Sequence, residues 1–236
     1  MNKFLFIITT FLLSKNIHVQ KIKIESSTFE PVQVYMFVEK LSGAEVVKVI
    51  KDSTVKEADE PTFVKIKGVD FGNGIIEVKV LSRLLKNAPQ SARGFIGLAF
   101  HIKENNTKFE SIYVRPTNGR ANDQVRRNHS IQYFSYPDYK FDRLRKESPE
   151  RYEAYADMEL NKWITMRIEV NGTEAKLFLN HQQQPSLIVN DLKHGATASG
   201  SIALWVDIGT EGYFKDLKII KKKTVELSDI PKLQRA

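Results

Sequence analysis

Apolar and polar residues alternate along most of this chain with a period of two. Ile76, Val78 and Val80 are separated by Glu77 and Lys79, and Ile164, Met166, Ile168 and Val170 by Thr165, Arg167 and Glu169. A strand turns successive side chains to opposite faces, so each run predicts a strand with one side on a core and the other on solvent. The run 95–102, Phe-Ile-Gly-Leu-Ala-Phe-His-Ile, is nearly all apolar and predicts a strand covered on both sides. Shorter β-branched or aromatic runs stand at 46–50, 63–66, 109–115, 186–189, 201–206 and 213–220. Ala175, Leu177 and Leu179 resume the alternation after Asn171-Gly172. That dipeptide predicts a hairpin with a type I′ turn, whose two central residues both need positive φ. Turns rather than helices separate these runs, so the expected fold is all-β: an antiparallel sandwich forming one domain over 21–236.

The first twenty residues break the pattern. Lys3 precedes Phe-Leu-Phe-Ile-Ile, two threonines and Phe-Leu-Leu, which is the short basic and apolar layout of a secretion signal, too short to span a bilayer. Residues 1–20 are therefore expected to be a signal peptide cut somewhere between 14 and 20, and the mature protein to be secreted or periplasmic with no transmembrane segment. Losing that segment removes Lys3 and Lys15 and lowers the net charge from +8 to +6. An exported basic protein points to an acidic glycan rather than nucleic acid as its partner. The chain has no cysteine, which excludes disulfides, thiolate metal sites and a cysteine nucleophile.

One long interruption runs from Pro116 to Leu160. With Arg115 it holds seven of the eleven arginines and five of the eight tyrosines. A guanidinium binds a carboxylate or sulfate through two parallel hydrogen bonds and stacks on rings, while a tyrosine offers a flat face to a sugar. Arg115, Arg120, Arg126 and Arg127, with Asn118, Asn128 and Gln132 for hydroxyl groups, are the candidate substrate-binding residues. His129, Tyr133 and Tyr136 are the candidates for proton transfer. The bland alternative is that the same side chains knit a long loop onto its sheet. Ser148-Pro149-Glu150 predicts a helix start, with serine as cap and proline in the first position.

Other signatures are missing. No HxH, HExxH or acid-rich loop marks a metal site, and no cofactor motif occurs, although Asp70, Asp207 and Asp216 near strand ends leave room for a structural calcium. No strand carries Glu-x-Asp-x-x-Glu, and no Gly-x-Ser-x-Gly occurs. Sequons stand at Asn105, Asn128 and Asn171.

The order Gly74-Ile-Ile-Glu-Val-Lys-Val, Gly94-Phe-Ile-Gly-Leu-Ala-Phe, Lys162-Trp163, Ala175-Lys-Leu-Phe-Leu-Asn180, Gly200-Ser-Ile-Ala-Leu-Trp205 and Tyr213-Phe-Lys-Asp-Leu-Lys-Ile219 resembles the concanavalin A-like jelly rolls of bacterial secreted proteins. It is similar to the 3-keto-disaccharide hydrolase and laminin-G-like domains. The resemblance implies the sandwich fold and a carbohydrate context; the arginine-rich segment 115–133 departs from the family pattern. The expected function is an exported hydrolase or lyase working in a groove on the sheet. On a uronic acid polymer, an arginine neutralising the carboxylate would acidify the neighbouring C–H for elimination by a tyrosine or histidine. The alternatives are a non-catalytic glycan-binding module and a structural envelope protein.

Overall fold

A computed structural model describes residues 19–222. The expected signal segment lies outside the described residues except for Val19 and Gln20. Within the described residues fifteen strands follow in chain order: β1 (Val19–Lys21), β2 (Phe29–Val32), β3 (Val34–Leu41), β4 (Ala44–Lys51), β5 (Phe63–Ile66), β6 (Gly74–Leu84), β7 (Ile96–Ile102), β8 (Phe109–Val114), β9 (Ile131–Tyr136), β10 (Glu153–Ala154), β11 (Ile164–Asn171), β12 (Glu174–Leu179), β13 (Leu187–Val189), β14 (Ser201–Val206) and β15 (Thr210–Lys221). Three short α-helices, α1 (Pro116–Gly119), α2 (Gln124–Asn128) and α3 (Phe141–Glu147), all fall between Pro116 and Leu160.

The strands form two antiparallel sheets. One has the order β13-β12-β11-β6-β15-β4-β3, with β1 added against β15; the other runs β10-β9-β8-β7-β14-β5-β2. The alternating residues meet between them. Ile76, Val78 and Val80 of β6 pair across to Ile168, Met166 and Ile164 of β11, and all six are buried. Facing them, Leu98, Ile112, Tyr133 and Leu204 lie in one row across β7, β8, β9 and β14. The fold is an all-β antiparallel sandwich of the jelly-roll kind.

The outer side of the seven-stranded sheet is buried as well. Phe63, Trp205, Tyr113, Phe109 and Phe134 project there, each at most 1% exposed, and the rings of Phe63–Phe109 and Phe134–Trp205 meet at 5.4 Å. This second apolar layer explains why β7 and β8 read as continuous hydrophobic runs. Two segments cover it. Residues 52–62, between β4 and β5, accept a hydrogen bond from Trp205 Nε1 at Glu60 O (2.9 Å). Residues 137–148 are tied to them by Phe141 N–H donating to Asp59 Oδ2 (2.7 Å) and by the Lys140–Glu60 ion pair. Gly97 leaves room for the row above it, because a Cβ there would collide with Ile112 O and lie 2.6 Å from Tyr113 Cβ.

Three local expectations are corrected. The segment 116–160 is not one loop: Ile131–Tyr136 is a strand inside the seven-stranded sheet and Glu153–Ala154 forms its edge. Five of the six β9 residues are buried, so both faces are covered and Ile-Gln-Tyr-Phe-Ser-Tyr shows no polar side. Ser148 ends helix α3 instead of starting one, its N–H donating to Leu144 O (2.8 Å). A proline disfavours helical backbone in the residue before it, so the helix stops there. The β11–β12 turn is centred one residue later than expected. Asn171 pairs with Glu174, and Gly172 at φ 61° takes the first central position, the pattern of a II′ turn.

Candidate functional site

The cover over the aromatic layer leaves a gap at one end, a cavity of about 530 Å³. Tyr113 of β8, Phe95 just before β7 and Arg115 just after β8 form its floor; Asp59, Phe141 and Arg145 come from the two covering segments, Asn118 from α1, Arg126 from α2 and His129 from the residue after it. Its volume lies in the range of small-molecule sites.

Arg115 organises the floor. Its side chain is nearly buried and donates to Tyr113 Oη (2.7 Å), Gln132 Oε1 (3.2 Å), His129 O (3.1 Å) and Glu153 Oε1 (3.2 Å). Arg145 also pairs with Glu153. Burial alone would raise the Glu153 pKa, but the hydrogen bond from Arg145 and the charges of Arg115 and Arg145 outweigh it and hold the carboxyl below its ordinary range.

Two more acids sit behind Tyr113. Asp207 is locked: Lys51 Nζ meets its Oδ1 at 2.5 Å, Asp59 N–H donates to its Oδ2 at 3.0 Å, and Ile208 N–H donates to Oδ1 at 2.6 Å. Asp59 itself is 1% exposed, with left-handed backbone at φ 56°. Burial, reinforced by the nearby Asp207 charge, outweighs the hydrogen bond from Phe141 N–H and pushes its pKa up to about 7. The cavity therefore holds a carboxyl able to give or take a proton near neutrality.

The sequence candidates divide. Arg115, Asn118, Arg126 and His129 line the cavity. Gln132 joins through its bond to Arg115, while its amide donates to Tyr133 O (2.7 Å). His129 Nδ1 lies 3.6 Å from Glu153 Oε1; burial lowers its pKa more than Glu153 raises it, so the ring is neutral at pH 7. Arg120 lies outside, paired with Asp157 (2.7 Å) and Glu159 (3.1 Å). Arg127 caps the Tyr155 ring and donates to its hydroxyl (2.7 Å), and Asn128 accepts from Gln124 (2.7 Å).

Tyr133 points to the sandwich interior, where its hydroxyl donates to buried Glu110 Oε2 (2.6 Å); burial and the Glu110 charge raise its pKa well above 10. Glu110 Oε1 accepts from His194 N–H (2.8 Å). Tyr133→Phe leaves Glu110 one donor short, and is expected to cost about 1–3 kcal/mol in urea unfolding. A cost near zero would mean that water replaces the phenol. Tyr136 stacks on Phe109 (5.1 Å) at the far end of β9, away from the cavity.

Sequence reasoning missed Asp59, Arg93, Phe95, Tyr113, Phe141 and Lys51. Asp59 stands in Glu57-Ala58-Asp59-Glu60-Pro61, which reads as an ordinary acidic turn, and its partners are more than eighty residues away. Among the described residues no three metal-ligating side chains cluster, and no helix is long and apolar enough to cross a membrane.

The protein belongs in architecture to the jelly-roll and galectin-like sandwiches, with a built cavity on the outer side of one sheet. Solved structures share that fold at low identity. Carbohydrate binding module CBM66 from Bacillus subtilis is 12% identical, with a TM-score of 0.52 covering 81% of this chain and 95% of that one. A Bacillus subtilis protein of unknown function with a galectin-like fold is 9% identical, with a TM-score of 0.51 over 83% and 91%. A candidate glycosyl hydrolase of Parabacteroides distasonis is 12% identical, with a TM-score of 0.50 over 84% and 89%. No family model and no curated protein matches the sequence.

Proposed function

We propose that this chain is an exported carbohydrate-binding domain that takes a short stretch of glycan into the cavity between Asp59, Arg115 and His129. The observation that carries the reading is the cavity itself. It combines a fixed guanidinium, a neutral imidazole, an amide and two partly exposed rings, Phe95 and Phe141. These are the groups that hydrogen-bond sugar hydroxyls and cover sugar C–H faces. Arg115 lies over both rings, 5.9 Å from Phe95 and 5.7 Å from Phe141, which fixes the aromatic wall beside the polar floor. The fold neighbours named for carbohydrate binding and glycosyl hydrolysis support the same ligand class. Export rests on the apolar run after Lys3.

The test is retention on immobilised polysaccharides and titration with oligosaccharides. His129→Ala is expected to weaken binding about tenfold while the melting temperature moves by no more than about 2 °C. A melting temperature that falls steeply with no change in glycan retention would favour a purely structural role for the segment.

A second reading is supported by Asp59. Its pKa of about 7 suits a general acid or base, so the cavity is compatible with hydrolysis or elimination. Two free carboxyls would favour hydrolysis, but Asp207 and Glu153 are each held by cations. Unsaturated ends released from a uronic acid polymer, and lost in Asp59→Asn with binding kept, would decide for a lyase; binding without products decides for the module.

A further inference from the structure

The cavity has more cations than its own acids can neutralise. Lys56, Arg93, Arg115, Arg126 and Arg145 line it against Asp59 and Asp207. Asp207 is matched by buried Lys51, and Glu153, just behind the wall, is shared by Arg115 and Arg145. Among the described residues neither Arg93 nor Arg126 has a carboxylate within ion-pair distance. Arg126 Nε is buried without any hydrogen-bond partner, and its Nη2 reaches only Asn118 Oδ1, at 3.4 Å. Arg93 turns one nitrogen back to its own loop, donating to Gln90 O (2.6 Å) and Ala92 O (2.8 Å). Burial lowers the Arg93 pKa, and the neighbouring charges of Arg126 and Arg115 lower it further, as expected for a guanidinium beside other cations with no carboxylate of its own.

Buried donors are rarely left unmade, and a guanidinium fork matches the two oxygens of a carboxylate or sulfate. We infer that the cavity recognises an acidic sugar, with the carboxylate or sulfate ester of the ligand held on the Arg93–Arg126 side. This assignment rests on the glycan reading above and adds to it the charge of the ligand and the two residues that read it. Arg93 belongs to no motif in the sequence and lies outside the arginine-rich segment. Neutral parts of the sugar are left to Asn118, Asp59 and the rings of Phe95 and Phe141.

The experiment compares matched probes on the full chain by calorimetric titration: oligogalacturonate with its methyl ester, and a sulfated galactan oligosaccharide with its desulfated form. The acidic member of at least one pair is expected to bind about tenfold or more tightly than its neutral counterpart. The pair that shows the preference identifies the anion as carboxylate or sulfate. Arg126→Gln is expected to remove most of that preference and to change the neutral affinity far less. Arg93→Lys keeps the charge and one donor to the loop but loses the fork, and is expected to reduce the preference while the fold stands. Arg83→Gln, on the outer side of the other sheet, serves as a control for diffuse basicity and is expected to leave the preference intact.

Equal affinity for the charged and neutral members, or a preference untouched by both cavity variants, overturns the acidic-sugar assignment and leaves the glycan reading standing. Failure of every probe, charged and neutral, to bind overturns both.

Discussion

Lys51→Met is expected to destabilise the protein by about 3–5 kcal/mol in urea unfolding, because removing one member of a buried pair strands the other charge. Lys51 and Asp207 each expose 4% of the side chain, and the ammonium also donates to Glu57 O at 2.6 Å. Without it, Asp207 keeps only backbone donors, and the second buried carboxyl, Asp59, sits on the same anchor. Adding Asp207→Asn to Lys51→Met is expected to recover part of the loss, so that the double variant is more stable than the two single costs sum to. A single-variant cost below about 1 kcal/mol would mean that Asp207 is not stranded without Lys51, being protonated or reached by water instead.

The second large effect concerns pH. The Asp59 pKa rises from 3.8 to about 7 on folding. Between those values the native state keeps a proton that the unfolded chain has released, so this group makes stability fall as pH rises from about 4 to about 7, and level off above. The fall is at most about 4 kcal/mol, since a tenfold change in proton affinity corresponds to about 1.36 kcal/mol. Asp59→Asn preserves the acceptor for Phe141 N–H, and asparagine tolerates the left-handed backbone at φ 56°. The variant is expected to match the parent at or below about pH 4, to exceed it by a margin that grows up to about pH 7, and to keep that margin at pH 8. His101 and His129, both lowered by burial, act with the opposite sign as pH rises toward 6.5, but they are common to both proteins and drop out of the difference. Parallel stability curves for parent and variant from pH 5 to 8 would show that Asp59 is ionised throughout.

The legible and illegible parts of this protein differ in a physical way. Strands with one dry face, such as Ile76–Val78–Val80, write their position directly as alternation. Strand β7 is legible too, because its nearly all-apolar run means cover on both sides. Strand β9 is hidden because it is also dry on both sides yet carries Gln132 and Ser135, polar groups satisfied by distant partners. The arginine-rich segment is visible as chemistry, but side-chain direction is not. Arg115 and Arg126 turn to the cavity, while Arg120 and Arg127 turn to Asp157 and Tyr155. Tyr133 differs from Gln132 by one position, and in a strand that sends it through the sheet to the opposite face. Asp59 depends on a contact with Phe141, 82 residues away, which no local pattern carries.

The cavity takes its floor from the sheet and its walls from connections. Arg115 and Tyr113 belong to β8 and its end, whereas Asp59, Phe141 and Arg145 hang from the two covering segments that hold each other through Asp59–Phe141 and Lys140–Glu60. The sandwich core between the sheets contributes nothing to these walls. Part of the cavity can thus diverge separately from the scaffold: exchanging residues 52–62 and 137–148 together as a matched pair reshapes the Asp59–Phe141 side while Arg93, Arg126 and the stranded frame are inherited unchanged. Exchanging either segment alone severs the clasp between them, so this side of the cavity is inherited as a pair.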